Sequence, residues 1–191
     1  MKNFIKLIGL FTLTIFMSFS NPNKKVLVID VSHGGKDYGA VNQNLREKDI
    51  VLDIAKKIKE LNTNDDIEII LNREKDEFIS LSDRAEFINK LSPDYVISLH
   101  LNSYVEEDKN GFEIIYGGNN LDSEELAKKL YENINFTKSE IKKIDFYLLK
   151  NVQAPMSFLE LGYLSNQKDR EYITSDEGQN EIAESILKTL E

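Results

Sequence analysis

The chain has 191 residues, no cysteine, two histidines and a formal net charge of −9. These numbers exclude a disulfide framework, a thiolate metal site and a three-histidine metal site within one chain, and they argue against a general nucleic-acid binder. One domain is the natural expectation, long enough for a core that needs no covalent or metal staple.

Met1 to Lys6 gives a short positive start, and Leu7 to Phe19 is apolar apart from Thr12, Thr14 and Ser18. Ser18-Phe19-Ser20 offers small residues at a cleavage position. Residues 1–23 therefore read as a secretory signal peptide or, if uncleaved, an N-terminal membrane anchor. The run is short beside the roughly 20 residues of a membrane span. No leader cysteine offers a lipid attachment site. Loss of Lys2 and Lys6 with the leader would take the charge from −9 to −11. The expected location is outside the cytoplasmic membrane, in the periplasm or cell envelope, with membrane contact only through an uncleaved leader.

Val26-Leu-Val-Ile-Asp30 reads as a buried strand running into the sharp turn Ser32-His-Gly-Gly35. His33 then lies just past a strand's carboxyl end, where open α/β sheets bind ligands. Gly39 to Leu45 reads as a loop. Arg46 to Leu61 carries Ile50, Val51, Ile54, Ile58 and Leu61 on one helical face, with Glu47 and Asp49 in the first turn. Asn62 to Asp66 is a polar turn, and Ile67 to Leu71 a strand. Ser80-Leu-Ser-Asp83 opens a short helix with Ala85, Ile88 and Leu91 expected inward. Pro93 ends it. Tyr95 to Leu99 is a second apolar strand, capped by His100.

Gly111 to Tyr116 is a further strand, and Asp122-Ser-Glu-Glu125 reads as the cap of a helix through Leu126, Ala127, Leu130 and Ile134. Lys138 to Asp145 reads as a charged connector, Met156 to Leu161 as a late strand, and everything from Gln167 as helical. Strands alternating with helices predict an α/β fold: a single domain over residues 24–191, with a mixed, mostly parallel sheet and helices on both faces.

From the residues alone, two histidines at two strand ends suggest a catalytic site of two histidines, one carboxylate and water. Glu47 has a competing role, stabilisation by the helix dipole. Glu160 interrupts an apolar strand, where an unpaired carboxylate is costly, so it is paired, metal-bound, catalytic or on a half-exposed face. Arg73 and Arg84 suit either a substrate carboxylate or local salt bridges. Asn102 suits substrate orientation or a turn, and Asp30 suits support of a ligand histidine or a turn.

Five stretches, in order and spacing, resemble the zinc-dependent N-acetylmuramoyl-L-alanine amidases of type 3. They are Ile29–Gly35, Leu45–Asp49, Leu71-Asn-Arg-Glu with Leu81–Ala85, Ser98–Ser103 and Phe158–Asn166. The resemblance runs from about Lys25 to the C-terminus. It implies Zn²⁺ held by His33, Glu47 and His100, with Glu160 as catalytic base and acid. The implied substrate is peptidoglycan, cut between the muramic acid lactyl group and L-alanine, with a protein activator left open. Val31 and Ser32 replace the family's proline and first glycine, and a positive φ at position 32 would strain the serine. Only Gly117 to Asp145 separates the late strands, which leaves little room for a self-inhibitory insertion. Two alternatives remain on residues alone: a zinc peptidase cutting within the stem peptide, and a non-catalytic wall-binding or regulatory protein on the same scaffold.

Overall fold

A computed structural model describes residues 24–106, 108–118, 121–134 and 139–190. The leader expected at residues 1–23 lies outside them. Among the described residues the central sheet has six strands, in spatial order Ile67–Leu71 (β4), Lys25–Val31 (β1), Tyr95–Asn102 (β5), Met156–Tyr163 (β8), Phe112–Tyr116 (β6) and Ser139–Lys143 (β7). Four of them, β1, β4, β5 and β8, run parallel. β6 is antiparallel to β8, and β7 is parallel to β6. Val41–Asn42 (β2) and Leu45–Arg46 (β3) form a small separate hairpin where a loop is expected over Gly39 to Leu45 and the helix is expected to open at Arg46.

Alternation along the strands sends their side chains into two cores. Leu27, Ile29, Ile97, Leu99, Ile114 and Leu159 pack on one face beneath α1 (Glu47–Leu61), α3 (Leu121–Asn133), α5 (Gln167–Thr174) and α6 (Asp176–Lys188). Val28, Val96, Ile115 and Phe158 pack on the other beneath α2 (Leu81–Leu91) and α4 (Tyr147–Asn151). The fold is thus the expected mixed, mostly parallel α/β domain with helices on both faces. The continuous apolar runs of β1 and β5 follow from burial on both sides.

Several local expectations are corrected. The charged connector contains β7, and the next residues form α4. The final helical stretch is two helices. Ser175 ends α5 and accepts the Gly178 amide at the start of α6, because its hydroxyl offers the new helix a cap. Ser80 does cap α2 by accepting from the Asp83 amide, but Leu91 at its far end is exposed rather than inward. Asp122 is already inside α3, so it is not that helix's cap. No helix among the described residues is long and apolar enough to cross a membrane.

Candidate active site

β1, β5 and β8 end at the same edge of the sheet, and α1 begins there. His33 follows β1, and its backbone takes φ 57°, with Gly34 at 124° and Gly35 at 56°. Left-handed backbone is costly for a residue with a Cβ and persists where surroundings over-determine it. The positive φ thus falls on His33 itself and not on Ser32. The expected serine strain does not arise. Gly34 is required on a second ground: a side chain there would overlap the Glu77 carbonyl.

The turn is fixed by nearly complete satisfaction of its polar groups. Arg73 is buried and donates from Nε to the Val31 carbonyl (3.1 Å) and from Nη2 to the Ser32 and Lys48 carbonyls (both 2.8 Å). Arg84 Nη2 donates to the His33 carbonyl (2.9 Å), and its Nη1 lies 3.6 Å from Asp30. The Asp76 carboxylate accepts the Gly35 amide (2.7 Å) and the buried Lys48 ammonium (2.6 Å). Arg73 is therefore a clamp on the turn, holding backbone carbonyls in place of either partner open to it in the sequence, a substrate carboxylate or a local acid. Replacing Arg73 with Met strands several buried carbonyls, and a loss of about 3–5 kcal/mol is expected. Chemical denaturation measures it, and a loss below about 1 kcal/mol would show that the clamp is not structural.

Glu47 opens α1 and is buried. Its Oε1 lies 3.0 Å from His33 Nε2 and 3.2 Å from His100 Nδ1. The same oxygen accepts the Leu101 amide at 3.0 Å, and Oε2 accepts the Ala40 amide at 2.7 Å. His33, Glu47 and His100 can each offer one ligand atom, with all three atoms within 4.8 Å of one another. Glu47 thus lies in the helix's first turn and also meets both imidazoles. Burial pushes its carboxyl up, but His100 and His33 outweigh this and hold it well below the usual carboxylate range. Burial likewise pulls His33 down, while Glu47 and Asp37 hold it above the usual imidazole value.

Glu160 stands beside His100 in the β5–β8 register. Side chains paired this way share a face of the sheet. Burial raises its carboxyl to about 7, with the Glu47 and Glu113 charges adding and the two imidazoles opposing. A cavity of about 530 Å³ opens over His33, His100 and Glu160. Its walls include Phe78, Leu81, Phe146, Tyr147 and Phe158. Phe158 stacks on the His100 ring with centroids 5.0 Å apart.

Asn102 is the last residue of β5 rather than a turn residue, its side chain accepting the Ser103 amide at 3.0 Å. Asp30 accepts hydrogen bonds from Ser98 and Asn72, and from neither histidine, and faces Arg84. The sequence reading misses Asp37. Its Oδ2 lies 2.9 Å from His33 Nδ1, off the straight line of a hydrogen bond. The available signal is its place four residues after His33. Ser32 enters that reading only as a departure in the turn, yet it is fully buried with its hydroxyl 3.5 Å from Glu47 Oε1.

Residues 27–191 match the sequence family described as N-acetylmuramoyl-L-alanine amidase. The chain belongs to the N-acetylmuramoyl-L-alanine amidase family. It is 30% identical over 183 residues to the germination-specific N-acetylmuramoyl-L-alanine amidase of Bacillus subtilis strain 168, covering 86% of this chain and 77% of that one. The crystal structure of an N-acetylmuramoyl-L-alanine amidase from Clostridium difficile 630 superposes with a TM-score of 0.84 at 31% identity, covering 88% of this chain and 95% of that one. The CwlD amidase of Clostridioides difficile, solved in complex with the GerS lipoprotein, gives a TM-score of 0.79 at 30% identity, over 87% of this chain and 96% of that one. The protein is an N-acetylmuramoyl-L-alanine amidase acting on peptidoglycan.

Proposed function

We propose that this amidase works with one Zn²⁺ held by His33, Glu47 and His100, and that Glu160 is its general base and acid. The observation that carries the reading is the convergence of two imidazoles and one buried carboxylate within 4.8 Å at the sheet's carboxyl edge. That donor set fits catalytic zinc, which takes three protein ligands of this type and leaves a position open. When bound, zinc polarises the amide carbonyl and acidifies water at neutral pH.

The chain's own residues do the rest. Glu160 takes a proton from the attacking water and delivers it to the departing alanine nitrogen. A carboxyl raised to about 7 suits both halves of that transfer. Asp37 stands against His33 Nδ1, which favours the tautomer that leaves Nε2 free to ligate. The aromatic walls of the cavity receive the substrate and displace water from the reacting bond.

Such a substrate lies outside the cytoplasmic membrane, which supports reading residues 1–23 as an export leader and residues 24–191 as the catalytic domain. A relative solved with a lipoprotein partner makes an activator a reasonable component of the same reading. Metal analysis of the dialysed protein tests the zinc assignment. One zinc per chain is expected, with hydrolysis lost to chelator and restored by zinc. Full activity without metal would overturn it.

A further inference from the structure

Beyond Glu160, on the side away from His33, the same sheet edge carries a second cleft of about 380 Å³. Its lining includes Asp108, Lys109, Glu113, Glu140, Lys142 and Tyr163, three carboxylates and two ammonium groups among them. The topology places it. Glu113 pairs directly with Glu160 across β6 and β8, and Glu140 pairs with Glu113 across β7. Directly paired side chains share a face and stand about 5 Å apart. A row therefore runs from His100 through Glu160 to Glu113 and Glu140, continuing the active site along the edge.

The chemistry of the two cavities differs. The first is mostly apolar, with Asp37 and Arg84 in its wall beside His33, His100 and Glu160. The second is mostly polar and carries charges of both signs. Lys142 Nζ lies 2.8 Å from Glu113 and 3.4 Å from Glu140. Tyr163 donates to Glu113 at 2.6 Å. The acidic pair is thus filled by an ammonium rather than open to a metal cation.

We infer that this cleft binds the stem peptide beyond its first alanine, with a free stem carboxylate set against Lys142. The inference rests on the amidase reading, in which Glu160 serves the alanine nitrogen. The peptide leaves the scissile bond from that nitrogen, on the Glu160 side. The next groups it meets along the edge are those of the mixed-charge cleft. Stem peptides carry free carboxylates and amino groups, and a cleft of both signs can pair them. The muramoyl arm leaves from the carbonyl and falls to the aromatic cavity.

The test compares kcat/KM on three substrates: N-acetylmuramoyl-L-alanine methylamide, a muropeptide with free stem carboxylates, and the same muropeptide with those carboxylates amidated. Lys142→Met should lower turnover of the free-carboxylate muropeptide about tenfold more than that of the methylamide. The excess loss should vanish on the amidated substrate and be largely rescued in Lys142→Arg. Equal losses on all three substrates would mean that Lys142 acts only through Glu113 and its neighbour Glu160, and would overturn the inference. The wild-type products separate the two levels. Cleavage of the methylamide at the lactyl–alanine bond upholds the amidase reading whatever Lys142 does. Cleavage only inside the stem would remove both.

Discussion

Glu160→Gln is expected to lower kcat by about 10²–10⁴-fold, the range a positioned general acid–base supplies, with zinc content unchanged from wild type. The glutamine keeps the shape and the hydrogen-bonding reach of the side chain but can neither accept the water proton nor pass it on. A lost activity with lost metal would instead mark Glu160 as a structural support of the metal centre. Retained activity would remove it from the mechanism.

The same variant has a stability signature in metal-free protein. Burial raises the Glu160 carboxyl to about 7, above the ordinary 4.5. Between those values the folded chain holds a proton that the unfolded chain has released. Stability contributed by the neutral form is therefore present at low pH and falls as pH rises from about 4.5 to about 7. The glutamine variant has no such proton. Its stability relative to wild type should thus increase by about 3 kcal/mol between pH 4 and pH 8. Urea titrations of both proteins in chelator at the two pH values measure it. A constant difference would show that Glu160 ionises normally in the fold.

His100→Ala is expected to abolish zinc retention on dialysis and, with it, turnover. Removing a group that merely supports a ligand costs about 10–100-fold in metal affinity. On the proposed reading His100 is itself one of three ligands, and its loss costs more. His100 is only partly buried and contacts Phe158 by stacking, so the fold should survive its loss. Circular dichroism checks the fold, and competition with a chromophoric chelator reports the affinity. Wild-type affinity in the folded variant would refute His100 as a ligand.

Much of this arrangement is legible in the chain because strong local signals coincide with it. The apolar runs of β1 and β5 and the helical period of α1 are dictated by burial, and they carry His33, Glu47 and His100 to their places. β7 is not legible, for the opposite reason. Ser-Glu-Ile-Lys-Lys sits at the sheet's edge, where charge, especially lysine, guards an exposed strand and erases the apolar pattern. The roles of Arg73, Asp37 and Lys142 depend on contacts between distant or turn-folded segments. Arg73 reaches back 42 residues to the Val31 carbonyl, a pairing that no local pattern encodes. The positive φ at His33 follows from that clamp and from Gly34, so the glycine pair alone could not say which residue would carry it.

Zinc-dependent cleavage of the lactyl–alanine bond is tested most directly by digesting purified peptidoglycan with the protein, in added zinc and in chelator, and identifying the products by mass spectrometry. Free stem peptides beginning with alanine, absent in chelator and restored by zinc, are the predicted result. Fragments cut within the stem, or the same products in chelator as in zinc, would contradict it.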